Sequence, residues 1–167
     1  ANHTVVVVDG VITEVGPSED IRVGSGATVI DGTGRYLTPG LSEMHAHVPP
    51  GNDPPRQDVE DLLFLYIANG VTTIRGMLGS DYQIPLADER ERSDVRGPNL
   101  AVAAPSLSGR SAPDAATAER LLRAHKDQGY DLQKIHPGVS LATWDHMVGV
   151  AQEVELTFGG HVPADVG

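Results

Sequence analysis

The sequence predicts an α/β fold, namely a partial TIM-type (β/α) barrel of about five β/α units preceded by a small antiparallel β lobe. Short β-prone runs joined by turn dipeptides fill the first part of the chain. Strand and helix patterns then alternate with a period of roughly 25 to 32 residues, which is typical of parallel β/α units. We assign residues 1–37 to the lobe and 38–167 to the first part of a barrel, since a complete barrel needs about 250 residues and the chain has 167.

The lobe is predicted from closely spaced hydrophobic runs that tight turns separate. Asp9-Gly10 follows the first run, Gly16-Pro17 follows the second, and Asp31-Gly32 follows the third. Such dipeptides favour hairpin turns between antiparallel strands. The predicted strands are 5–8, 11–15 and 28–30.

The barrel portion combines apolar strand patterns with capped helix patterns. Its predicted strands are 41–47, 71–75, 99–103, 131–135 and 156–160. Asp58, Asp114 and Ser140 are predicted to cap helices that run to residues 68, 126 and 154, with Gly129 ending the second helix. A weaker helix is predicted over 86–92.

Charge and composition exclude several classes of partner. The formal net charge is −11, and nucleic-acid binding needs a basic face, so we expect no nucleic-acid partner. No apolar run approaches the roughly 20 residues of a membrane-spanning helix, so we expect no membrane partner. Without Cys there is no disulfide and no thiolate ligand, which leaves His, carboxylates and modified Lys as metal ligands. Composition does not indicate a compartment.

His45 and His47 form the first candidate metal pair. They stand two residues apart at the end of a predicted strand, so both imidazoles point to one face and can chelate a divalent ion. The alternative is a pair of partly exposed strand histidines. Their position favours the metal pair, because barrel active sites lie at the C-terminal ends of strands.

Residues 31–47, Asp-Gly-Thr-Gly-Arg-Tyr-Leu-Thr-Pro-Gly-Leu-Ser-Glu-Met-His-Ala-His, resemble the opening of the amidohydrolase superfamily. In that family a β lobe leads through a Pro-Gly-Leu turn into the first barrel strand and its His-x-His pair. Ser42-Glu43 stands where the family more often has Ile-Asp. Residues 69–75 are similar to the second strand, 129–135 to the fourth and 159–163 to the fifth.

The resemblance implies further metal ligands on the later strands. Lys134 matches a carboxylated Lys that bridges two metals, and His161 matches a ligand to the second metal. A cationic amine beside two divalent ions is costly, whereas a carbamate reverses the charge. The alternatives are an ordinary Lys whose head reaches solvent and a loop histidine. His136 is a candidate substrate-binding residue or a solvated loop residue.

The resemblance also implies metal-assisted hydrolysis. One or two divalent ions, most often zinc in this family, lower the pKa of a bound water to about 7 for attack on a carbonyl group. The family also uses a His from strand six and an Asp from strand eight, which the predicted strands do not include. We therefore expect a partial metal site, and this chain alone is expected to lack the complete catalytic set.

Two functions from different classes remain open. The first is a hydrolase of carbon–nitrogen bonds in a small-molecule or dipeptide substrate, most similar to the branch of Xaa-Pro dipeptidases and imidazolonepropionase-like enzymes. Phosphoesters and lactones are also cleaved in the superfamily. The second is a non-catalytic half-barrel that is stable only as an oligomer or with a second polypeptide, because five β/α units leave open sheet edges. A homo-oligomer is expected in either case.

Overall fold

The computed structural model describes residues 2–51 and 53–167, and the chain forms two compact units, Ala1–Pro39 and Gly40–Gly167. The first unit contains an antiparallel pair, β1 (His3–Val8) and β2 (Val11–Pro17). Asp9 and Gly10 join them with φ values of 50° and 78°. Positive φ at both central positions is the requirement of a tight turn whose twist matches the flanking strands.

The predicted third strand of the lobe, 28–30, is wrong. These residues have no strand partner, and Val29 and Ile30 are 73% and 88% exposed. A β-prone run without a ladder to join gains neither hydrogen bonds nor burial.

The second unit is a five-stranded parallel sheet in which each strand pairs with the next along the chain. This confirms the predicted half-barrel of β/α units. The strands are β3 (Leu41–Ala46), β4 (Val71–Gly76), β5 (Asn99–Leu107), β6 (Leu132–Ile135) and β7 (Thr157–Gly160). The helices are α1 (Arg56–Ala68), α2 (Gln83–Glu91), α3 (Ala115–Gln128) and α4 (Leu141–Glu153).

Two of the three predicted N-caps are confirmed. Asp114 accepts a hydrogen bond from the Thr117 amide, and Ser140 accepts one from the Thr143 amide. Gly129 ends α3 with a left-handed φ of 93°, as predicted.

Asp58 does not cap α1, so this prediction is wrong. The helix begins at Arg56, directly after Pro55, and Asp58 lies inside its first turn. A second prediction is also displaced, since α2 begins at Gln83 and not at residue 86. Among the described residues, no helix has both the length and the apolar character needed to cross a membrane.

The two faces of the sheet have different environments. Ile74 and Ala46 pack with Val59 and Leu63 in a core under α1. A second helix-side core lies under α3 and α4 and contains Leu107, Leu122, Ile135 and Met147. A third cluster of Met77, Ala103 and Leu132 lies on the opposite face, because Leu132 alternates with the helix-facing Gln133 and Ile135. This opposite face, called the inner face below, carries the candidate site.

Candidate metal centre

The predicted site residues meet at one end of the sheet. His45 lies in β3 and Lys134 in β6, while His47, His136 and His161 come just after the ends of their strands. The C-terminal ends of parallel strands share one edge, which is where (β/α) barrels build active sites.

A β-bulge sets the direction of the two histidines from β3. Glu43 pairs with Ile74 and Ala46 pairs with Gly76, so three steps along β3 match two along β4. Ala46 and Val48 are buried in the helix-side core, so His45 and His47 face the other way. Their ring centroids are 5.5 Å apart and the ring planes are inclined by 49°.

Lys134 is buried on the inner face. Its residue exposure is 1%, and its Nζ lies 3.1 Å from His45 Nε2. Two strands separate β3 from β6 in the sheet, so this contact requires the sheet to curve as a barrel wall does. Burial lowers the pKa of the Lys134 amine, and the nearby Arg75 lowers it further. The amine therefore does not extend to solvent, in contrast to the alternative of a snorkelling side chain.

The absence of a side chain at Gly160 makes room for Lys134. A Cβ at Gly160 would lie 3.0 Å from Lys134 Cδ and would collide with the Ile135 carbonyl oxygen. Gly160 has a φ of 128°, a conformation that favours glycine.

His161 and His136 complete the cluster. The His161 amide donates to Ile135 O at 3.0 Å, and the His136 amide donates to Leu107 O at 2.7 Å, so both backbones continue the strand ladders. The His161 ring centroid is 6.3 Å from that of His45 and 4.9 Å from that of His136. Burial and then the positive charge of Lys134 lower the pKa of both His45 and His136, which favours neutral imidazole, the form that binds metals.

The donor set fits a divalent cation in type but is incomplete. Two imidazoles on one tetrahedral ion, each at about 2.0–2.1 Å, place their ring centroids about 5 Å apart. The 5.5 Å separation of His45 and His47 is compatible with this value. Within residues 2–51 and 53–167, however, no group of three or more His, Asp or Glu side chains is arranged to hold a metal ion. Besides the histidines, the cluster contains the amine of Lys134, which contacts the ring of His45.

Arg75 is a site residue that the sequence analysis missed. Its Nε donates to the carbonyl oxygen of Met44, inside the bulge, at 2.8 Å. Its positive charge acts on both His45 and Lys134. The sequence does contain a signal for it, because Arg75 directly follows the buried Ile74 near the end of a barrel strand. Alternation along the strand directs such a charged side chain to the face opposite that of Ile74.

No protein-family model matches the chain. Among curated proteins, enamidase from Eubacterium barkeri is 41% identical over 71 residues, which cover 42% of this chain and 18% of that protein. Adenine deaminase 3 from Rhizobium meliloti (strain 1021) is 28% identical over an alignment of 171 residues that covers 94% of this chain. The chain spans 28% of the length of this second relative.

The chain is therefore similar in sequence, along most of its length, to members of the amidohydrolase superfamily. The resemblance in residues 31–47 is thereby confirmed at the level of the superfamily.

Two solved structures share the fold of this chain. Bottromycin amidohydrolase superposes with a TM-score of 0.73 at 23% identity, covering 98% of this chain and 35% of that protein. A prolidase complexed with N-methylphosphonate-L-proline superposes with a TM-score of 0.76 at 19% identity, covering 96% of this chain and 51% of that protein. These likenesses agree with the fold of five β/α units.

Proposed function

We propose that this chain is part of a metal-dependent hydrolase of carbon–nitrogen bonds, acting on amides or peptides of small-molecule or dipeptide size. The observation that carries the proposal is the buried amine of Lys134 in contact with His45 across the inner face of the sheet. A buried, nearly unpartnered amine has a desolvation cost, so its retention at a strand end favours a functional role. The relatives are longer, so we assign turnover to a barrel of which these five strands form part.

In this proposal His45, His47 and His161 would hold the divalent cation or cations, and Lys134, as a carbamate, would supply further oxygen ligands. Zinc is the ion that we propose, because neutral imidazole and oxygen donors suit it. What the cation supplies when bound is Lewis acidity toward a carbonyl group and a more acidic water.

In this proposal the residues of the chain orient the metal ligands and keep water away from one side of the site. The cluster of Met77, Ala103 and Leu132 lies deeper on the inner face, because Leu132 precedes Lys134 by one inward-facing position on β6. This apolar layer excludes water from beneath the site. Burial and then the positive charge of Lys134 lower the pKa of His45, which favours the neutral imidazole that binds metal ions.

The proposed substrate class is the Xaa-Pro dipeptide or a related compound with a carbon–nitrogen bond. The segment Gly-His-Val-Pro at residues 160–163 and the segment Gly-Val-Thr-Thr at 70–73 support this branch, and the prolidase with the same fold is consistent with it. His136, whose ring lies 4.9 Å from that of His161, is proposed to contact the substrate.

The test is a substrate assay on the full-length encoded protein loaded with zinc. We expect metal-dependent release of proline from Xaa-Pro dipeptides, and loss of this activity in the variant His45→Ala/His47→Ala. His146→Ala is a matched control, since His146 lies on the exposed surface of α4 and pairs with Glu119. If the protein hydrolyses only phosphoesters or lactones, the proposed cleavage of carbon–nitrogen bonds is wrong. If it hydrolyses none of these substrates, the proposal that it is an enzyme is wrong.

A second candidate function is supported by the open edges of the sheet. β3 and β7 each have one neighbour among the described strands, and Leu41 at the β3 edge is 62% exposed. Exposed apolar edge strands pair with other chains. A half-barrel that assembles with copies of itself or with a second polypeptide, without catalysis, is therefore the alternative.

A further inference from the structure

Arg75 lies on the same face as the histidine cluster. The preceding residue, Ile74, is fully buried in the helix-side core, so alternation along β4 directs Arg75 to the inner face. Its positive charge lowers the pKa of both His45 and Lys134, which agrees with this placement.

One edge of the Arg75 guanidinium is fixed by backbone. Nε donates to Met44 O, a carbonyl that the bulge in β3 removes from the regular ladder with β4. A guanidinium carries five N–H donors in a rigid planar fork. Among the described residues no side chain or carbonyl accepts from the two Nη groups, so four donors remain available.

The positive charge of this fork acts on two groups of the candidate site, Lys134 and His45. Glu43 is the carboxylate closest along the chain, and its Oε1 accepts from the His45 amide at 2.7 Å. No described carboxylate forms a salt bridge with Arg75. The Nη groups of Arg75 are therefore hydrogen-bond donors without an anionic acceptor among the described residues.

We propose that Arg75 binds a planar pair of carboxylate-type oxygens within this site, with Nε holding the fork in place and the Nη groups donating. Guanidinium recognises such oxygen pairs through two parallel hydrogen bonds. The inference deepens the proposed function and rests on it for the identity of the ligand.

Two sources supply this chemistry. One is a carbamate on Lys134, which forms when the Nζ lone pair bonds to the carbon of carbon dioxide and the nitrogen releases a proton to water. The other is the carboxylate of a bound small molecule, such as the C-terminus of a dipeptide. Both present the same oxygen pair, and two probes distinguish them.

The experiment measures anion binding by the 167-residue chain without assaying turnover, so its failure is distinguishable from failure of the proposed hydrolysis. Acetate is titrated in buffer free of carbon dioxide, and ¹³C-bicarbonate is added in a separate series. Binding is followed by the ¹⁵N signals of the arginine side chains and by the ¹³C signal of a carbamate. The variants are Arg75→Gln, Arg75→Lys and Lys134→Ala, and Arg120→Gln on the exposed surface of α3 is the control.

For a carboxylate ligand, we expect acetate to shift the Arg75 signals and to bind about tenfold more weakly to Arg75→Gln, while Lys134→Ala retains it. For a carbamate, the ¹³C signal is expected to be lost in Lys134→Ala and strongly reduced in Arg75→Gln. Arg75→Lys keeps the charge without the fork and should give an intermediate result. If neither probe shifts the wild-type Arg75 signals and neither depends on Arg75, the inference is overturned, a result that needs no folded variant.

Discussion

Lys134 combines nearly complete burial with one described side-chain partner, the ring nitrogen of His45. A buried amine with so few acceptors is desolvated without full compensation. Methionine has a similar length and no charge, so it fills the same space beside Gly160. The residue is therefore expected to serve the site at the expense of stability.

We predict that Lys134→Met leaves the free energy of unfolding unchanged or raises it by about 1 kcal/mol. Urea denaturation of the 167-residue chain measures this, and zinc retention after dialysis should fall in the same variant. Lys126→Met is a matched control, since Lys126 lies on the exposed end of α3 and donates to Glu155 O. A loss of more than about 2 kcal/mol in Lys134→Met would show that the amine is structural.

The second prediction at this scale concerns the histidine pair. Zinc should bind to the chain at micromolar or weaker affinity, because few ligands are assembled, and His45→Ala/His47→Ala should remove at least one equivalent. Equilibrium dialysis with elemental analysis measures both quantities, with His146→Ala as the reference. An unchanged zinc content in the double variant contradicts the assignment of these ligands.

At the scale of elements, two glycines with opposite surroundings permit a direct comparison. A Cβ at Gly79, in the segment after β4, would collide with the backbone of Ala103, whereas a Cβ at Gly149, inside α4, has no neighbour within 4 Å. Gly79→Ala should lower the free energy of unfolding by about 1–3 kcal/mol through overpacking against rigid backbone. Gly149→Ala should raise it by up to about 1 kcal/mol, because alanine favours the helix.

Urea denaturation of the two variants beside the wild-type chain measures both effects. Equal effects of the two substitutions would mean that the close packing around Gly79 is not present in solution.

Local chemistry explains which elements could be predicted. The caps Asp114 and Ser140 and the terminator Gly129 act on neighbouring backbone, so their effect is visible in the sequence. Asp58 was assigned as a cap for the same reason, but Pro55, directly before α1, set an earlier start. The bulge in β3 and its bond to Arg75 were not predictable, because both depend on how two strands pair.

At the scale of the whole molecule, the open sheet predicts self-association. Leu41 is exposed at the β3 edge, and edge strands of this kind template pairing with another chain. We predict concentration-dependent oligomers of the 167-residue chain by sedimentation velocity, weakened in Leu41→Glu. Leu65→Glu is the control, since Leu65 is similarly exposed, at 58%, but lies on helix α1. A monomer at all concentrations contradicts this prediction.

The global curvature of the sheet also limits what sequence can show about the site. Spacing and a position at a strand end pointed to His45 and His47, whereas Lys134 and His161 were added because the sequence resembles the amidohydrolase superfamily. The direct approach of Lys134 to His45 across two intervening strands depends on the curvature of the whole sheet, which no local pattern encodes. Arg75 was missed for the same reason, because its partner Met44 belongs to another strand.

The hydrogen bond from Arg75 to Met44 O also means that β3 and β4 should be transferred together when barrel segments are exchanged between proteins. In a chimeric barrel that received β3 without β4, the extra residue of the bulge would have no side chain to satisfy its carbonyl, and the strand would be free to slip by one position. Such a slip exchanges the two faces of the strand, so the imidazoles of His45 and His47 would both turn away from the inner face. Crossover points for segment exchange between barrels should therefore lie outside residues 41–76, so that β3, α1 and β4 are transferred together.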